Sequence, residues 1–167
     1  MTTGPTTELD QRYSEPDTKA LDWSTATAAL EAAELFWIST VRPDGRLHVT
    51  PLVAVWLDDA AYIATGPDEA KAKNLAENPH FALTTGCNKL HEGLDLVLEG
   101  EAELVRDRDT LERVADANNL KYDGTFSFSV GDGVLTHEEG EALVYKLAPD
   151  TAYGFGKAPY NHTRWTF

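Results

Sequence analysis

Between Phe36 and Phe81 the hydrophobic period of the chain changes once, from two to roughly 3.6, and that switch limits the folds open to it. The stretch reads FWISTVRPDGRLHVTPLVAVWLDDAAYIATGPDEAKAKNLAENPHF. Phe36–Val41 is an apolar, β-branched run. Pro43-Asp44-Gly45 is turn chemistry: proline presets φ, Asp tolerates the turn and Gly takes positive φ. Arg46–Leu57 is rich in Val, Thr and Trp, as strands are, and Asp58-Asp59 closes a second turn before a third strand at Tyr62–Thr65. Three antiparallel strands on tight turns form a meander, and closing such a sheet into a barrel buries its edges.

After Thr65-Gly66-Pro67-Asp68 the pattern becomes helical. Pro67 or Asp68 suits the helix start and Asn78-Pro79 its end. Lys71 falls one turn into that helix, just after Thr65. A strand end, a hydroxyl, free helical N–H groups and a lysine together can hold a phosphate. On helix logic alone, Lys71 and Lys73 are more simply read as solvated surface charges.

Elsewhere the chain is less regular. Residues 1–20 are polar and predict a flexible N-terminal arm, leaving 21–167 as one domain. Ser24 is a plausible N-cap for a short helix over Ala26–Glu34. Phe81–Thr85 and Leu94–Arg106 read as strands, the second with Gly100 permitting a bulge or bend. Asp107 and Asp109 suit the start of a helix with Leu111, Val114 and Ala115 on its buried stripe. Glycines break any period across residues 118–140, which reads as a loop with room for a turn of helix. Ala142–Leu147 and Tyr153–Phe155 are the last strands, separated by a turn at Pro149-Asp150. Six or so hairpin-connected strands with few helices describe an α+β protein on a small barrel, not a doubly wound sheet.

The formal charge of -14 argues against nucleic acid or an anionic lipid surface as partner. No apolar run approaches the roughly 20 residues of a membrane span, and the N-terminus does not read as a signal peptide. The lone Cys87 excludes an intrachain disulfide and fits a cytoplasmic location. No local signature makes Cys87 a nucleophile. The five histidines show no metal-ligand spacing. Gly-x-Ser-x-Gly is absent, and Gly154-Phe155-Gly156 lacks the helix and third glycine of a dinucleotide fingerprint.

Two features stand out beside the lysine helix. Alternation puts His48, Thr50, Leu52, Ala54 and Trp56 on one face of the long strand and Val49, Pro51, Val53, Val55 and Leu57 on the other. Pro51 cannot donate to a ladder, so it marks an edge or a break whose free backbone groups suit a planar heterocycle. From the strand alone the simpler reading is an edge proline that blocks aggregation, with His48 on the surface. The chain also ends in Arg164-Trp165-Thr166-Phe167, an ending tied down against its own barrel, a partner or a ligand plane.

The connected order of strand, PDGR turn, HVTP strand, strand ending in ATG, then KAKNLAENP resembles the pyridoxamine 5'-phosphate oxidase-like family of flavin-binding split-barrel proteins. The match spans Leu30–Arg106, with the Gly-Phe-Gly-Lys and Thr-Arg-Trp tail as support. The resemblance implies a six-stranded antiparallel split β-barrel with flanking short helices, a homodimer, and FMN in a cleft at the subunit interface. It implies that Thr65 and Lys71 hold the FMN phosphate and that His48, Val49, Thr50 and Pro51 flank the isoalloxazine and ribityl chain. Lys73 and Asn74 match a further basic residue and an asparagine of some relatives, and Arg164 and Trp165 match a C-terminal Arg and Trp. Where relatives often carry an arginine just before the phosphate lysine, this chain has Glu69 and Ala70, which removes a bidentate partner.

These readings favour an FMN-dependent oxidoreductase exchanging hydride with a small organic substrate, with His48 the one acid or base to name. A deazaflavin coenzyme with an anionic tail is the alternative cofactor, less suited to so acidic a chain. A non-catalytic flavin-binding or dimeric module is the third.

Overall fold

The computed structural model describes residues 4–167. Its elements begin with β1 (Thr6–Leu9), α1 (Trp23–Ala32), β2 (Phe36–Val41), β3 (Leu47–Leu52), β4 (Val55–Leu57), β5 (Ala60–Thr65) and α2 (Ala70–Glu77). They continue with β6 (His80–Thr85), β7 (Leu94–Val105), α3 (Arg108–Lys121), β8 (Ser129–Val130), β9 (Leu135–His137), β10 (Gly140–Lys157) and β11 (Tyr160–Thr166). Every strand pairing is antiparallel, so the fold is α+β with a dominant sheet. Among the described residues eleven strands form where the sequence suggests six or so.

The backbone of the sheet is β10. The expected turn at Pro149-Asp150 is instead an irregularity within one strand, where the register against β7 shifts between Pro149 and Thr151. Pro149 sits where the ladder is already interrupted, so its missing N–H costs little. Opposite lies Gly100, whose missing Cβ would fall 2.5 Å from the Ala148 carbonyl oxygen. Only glycine lets the two backbones approach this closely. The first half of β10 pairs with β5 and β7, and the second half with β7 and β11.

The long run expected over Arg46–Leu57 is divided. β3 pairs with β2 and β4 with β5, and the chain leaves the ladder at Val53 and Ala54 rather than at Pro51. The Ala54 backbone groups at this break are not left for a ligand. The Tyr122 hydroxyl accepts from the Ala54 N–H at 3.2 Å and lies 3.0 Å from the Ala54 carbonyl oxygen, to which Lys121 Nζ also donates at 3.0 Å. Residues 118–140, expected as loop, thus supply the end of α3 and the β8–β9 hairpin.

Two apolar clusters fill the interior. One joins Ala26 and Leu30 of α1 to Phe36, Ile38, Ile63, Leu83, Leu98 and Leu147; the other packs Leu111 and Val114 of α3 under Tyr62, Leu135 and Val144. α1 starts at Trp23 with Asp22 as its N-cap, not Ser24. Asp107 caps α3 as expected, accepting from the Thr110 N–H at 2.9 Å. From Thr6 the N-terminal arm lies on its own chain, β1 pairing with β11 so that Thr7 faces Trp165. Residues 1–3 of that arm lie outside the described residues. No described helix is long and apolar enough to cross a membrane.

Trp165 is fully buried. It meets Trp23 edge-on at 5.2 Å, and a Cβ on Gly154 would lie 2.6 Å from its ring. Truncation leaves a large void in a closed core. Trp165→Ala is expected to destabilise the fold by about 3–5 kcal/mol, read as a fall in the urea midpoint with an unchanged slope.

Candidate functional site

Thr65 ends β5 and is buried because its strand is paired with β10 at Leu143. Gly66, Pro67 and Asp68 turn the chain, and α2 begins at Ala70 because Glu69 still holds an extended backbone (φ -68°, ψ 147°). Lys71 therefore stands in the first helical turn, its side chain only 9% exposed. Three donors meet here. Glu69 Oε1 accepts from the Gly66 N–H at 2.8 Å and from the Thr65 hydroxyl at 3.1 Å, and Glu69 Oε2 pairs with Lys71 Nζ. The hydroxyl, amide and ammonium expected around a phosphate thus converge on one anion, and that anion is a carboxylate of the chain itself.

Asn74 lies one turn beyond Lys71 and is also buried; its Nδ2 donates to Thr40 Oγ1 at 3.0 Å. Thr40 faces His48 across the β2–β3 ladder, and His48 Nδ1 is buried without a hydrogen-bond partner. Buried polar atoms are nearly always satisfied, so this orphan marks a place for a further polar group. Thr40 escaped sequence reading, because only the packing of α2 on β2 brings it to Asn74.

The other expected residues separate. Alternation turns Val49 and Pro51 to the exposed outer face of β3, while His48 and Thr50 are half-buried on the inner one. Lys73 points away from Lys71, its Nζ 3.6 Å from Asp68 in solvent, and borders a separate cavity of about 680 Å³ with Arg42 and Arg46. Arg164 is exposed and faces Tyr153, whereas Thr65 faces Leu143. Those attachment points lie roughly 30 Å apart along β10. Arg164 does not join the Lys71 cluster within one chain. Trp165, which the sequence leaves open between its own barrel, a partner and a ligand plane, is packed in the core.

Next to Thr65, Gly66 and Glu69 opens a cavity of about 490 Å³ walled by Phe126, Phe128 and His137. The two phenylalanine rings are stacked at 6.0 Å, and His137 meets Phe128 edge-on at 5.6 Å. Residues in a stretch without readable period therefore border the site.

Burial pushes the Glu69 carboxyl up, but bonds from Lys71, the Gly66 N–H and Thr65, with the Lys71 charge, outweigh it and hold the group below its usual range. A lowered folded-state value means the linkage stabilises the fold at neutral pH and is lost as pH falls through that value. Following the Gly66 amide resonance during acid titration is expected to give a midpoint below the ordinary glutamate value of about 4.3. A midpoint at or above it would contradict the convergence on Glu69.

The sequence matches the family model of pyridoxamine 5'-phosphate oxidase over residues 24–153. No curated protein matches it significantly. Among solved structures, a conserved hypothetical protein from Mycobacterium tuberculosis superposes with a TM-score of 0.70 at 16% identity, covering 86% of this chain and 89% of that one. A NimC/NimA family protein from Clostridium acetobutylicum gives 0.62 at 17% identity, over 84% of this chain and 91% of that one. An FAD-binding protein from Mesorhizobium loti gives 0.60 at 14%, over 98% and 100%. At these identities the structures establish shared fold, while the family match covers most of the chain. The order of strands, the strand-to-helix lysine and this match together show that the chain belongs to the pyridoxamine 5'-phosphate oxidase family.

Proposed function

We propose that the protein is an FMN-binding oxidoreductase that acts on a small organic substrate as a homodimer, with the cofactor at the subunit interface. The observation that carries this reading is the convergence of Thr65, the Gly66 N–H and the buried Lys71 on a single anion where β5 passes into α2. That donor set fits a phosphate in charge and number, the Glu69 carboxylate standing in for the phosphate oxygens. When bound, the flavin supplies the hydride chemistry. The chain supplies the rest. Lys71 and Thr65 hold the charged end, and Asn74 and Thr40 fix the helix against β2. His48 keeps a ring nitrogen free to take or give a proton.

Family architecture supports the same reading. β3 pairs with β2 and β4 with β5, and β5, β10, β7, β6 and β2 follow one another in antiparallel pairing, which supports a six-stranded split barrel if β3 and β4 count as one strand interrupted at Val53 and Ala54. The outer face of the β2–β3 edge exposes Trp37, Leu47, Val49 and Pro51, with Leu47 68% exposed. The open edge of β3 and the apolar face beside it suit a second copy. Arg164 would then reach the site from the partner. A cytoplasmic location completes the proposal.

One observation bears on the alternative cofactor. Arg42, Arg46 and Lys73 border one cavity beside α2, but Arg46 is paired with Asp44 and Lys73 lies 3.6 Å from Asp68, and Glu77 lines the same cavity. That leaves Arg42 as the cation an anionic deazaflavin tail would meet there. Mass spectrometry of the small molecule released on denaturation separates the two cofactors. Reduction of the bound cofactor by NADH or NADPH without air separates turnover from a binding module.

Lys71→Ala is expected to weaken FMN binding by about 10- to 150-fold, the loss of one bond to a charged group, with riboflavin affinity unchanged; equal losses for both ligands would remove the phosphate assignment. Val49→Asp is expected to convert a dimer into monomers in sedimentation velocity, because it buries an unpaired charge at the proposed contact.

A further inference from the structure

We propose that Glu69 is a built-in competitor for the phosphate cradle, a carboxylate latch that an incoming phosphomonoester must displace before the cofactor loads. The inference rests on the phosphate reading of the Lys71 site and assigns a new role to a residue inside it.

The Gly66 N–H and the Thr65 hydroxyl, each a single donor, are bonded to Glu69, and so is one N–H of the Lys71 ammonium, so a second anion gains neither of the first two and must share the ammonium while Glu69 stays. Among the described residues Glu69 is the only carboxylate within ion-pair distance of Lys71, whose side chain is nine-tenths buried. A buried ammonium without a partner is strongly unfavourable, which holds the latch shut when no ligand is present.

Release is built in as well. The Glu69 side chain is half exposed, and it makes no cap bond to the helix it precedes. Side-chain rotation alone carries the carboxylate toward solvent, leaving β5 and α2 in place. Glu138 and Glu139 border the adjoining cavity, so a displaced carboxylate is driven outward rather than into it.

The exchange sets a selectivity rule. A monoanion replacing Glu69 merely substitutes one single charge for another in the same bonds. A phosphomonoester brings close to two negative charges and three acceptor oxygens to the same donors. The latch thus admits phosphomonoesters and turns away carboxylates and phosphodiesters. Its closed population lowers the apparent affinity by the fraction of time the cradle is open.

The test uses Glu69→Ala and Glu69→Gln with inorganic phosphate as probe, reading the Gly66 amide by nitrogen-15 NMR, and FMN beside riboflavin by fluorescence. Glu69→Gln keeps an acceptor for Gly66 and Thr65 and removes only the charge, so it decides the matter if the alanine variant does not fold. Both variants are expected to bind inorganic phosphate at Gly66 at least about tenfold more tightly than the wild type, with FMN tightened in parallel and riboflavin unmoved. Equal phosphate affinity in wild type and Glu69→Gln, or no response of Gly66 in either variant, overturns the latch. If Gly66 responds to phosphate as expected but no form binds FMN, the latch stands and the flavin reading falls. If wild type binds FMN through Lys71 and Glu69→Gln gains nothing, the latch falls and the flavin reading stands.

Discussion

A lysine ammonium taken out of water needs an anion, and the site of this protein is organised by that need. Lys71 is buried in the first turn of α2, a helix that packs on β2, and the β5–α2 junction points the Gly66 N–H and the Thr65 hydroxyl at the place where its charge must be balanced. In the chain by itself Glu69 meets the requirement. Everything proposed for the function follows from which anion occupies that place and how firmly.

The sheet exists, from the site's standpoint, to fix that junction. Thr65 is held by β10, a strand kept continuous past Pro149 by a bulge that faces a glycine. Helix α2 is held at its other contact by the Asn74–Thr40 bond to β2. Both anchors lie in different hairpins, so the geometry of the cradle depends on the sheet as a whole.

Much of this was readable from residues 36–81, where turn residues and period agree at each step. Phe36–Val41, the Asp44-Gly45 turn and the β5 end fall where local preferences place them, whereas the lysine-bearing helix starts at Ala70, later than the Pro67 or Asp68 start, because Glu69 stays extended. The N-cap Asp107 was legible for the same reason. Failures came where the cause is non-local or the element short. β8 and β9 are two and three residues long, too few for alternation to register. β1 is a polar TTEL segment whose only reason to be a strand is β11. The break at Ala54 is held by Tyr122, 68 residues away in the chain. Trp165 reads equally as ligand platform or core until β1, β10 and α1 are seen to cover it. Glu69 was legible as an acid near the helix start, but its reach back to Thr65 and Gly66 is a matter of side-chain conformation.

The most direct measurement is phosphorus-31 NMR of FMN titrated from neutral to acid pH in the presence of excess protein. A phosphate held by Lys71, Thr65 and the Gly66 N–H is expected to shift on binding and to remain dianionic well below its free second pKa of about 6. A bound flavin whose phosphate resonance titrates as it does free in solution would contradict the assignment of this strand–helix junction as the anchor.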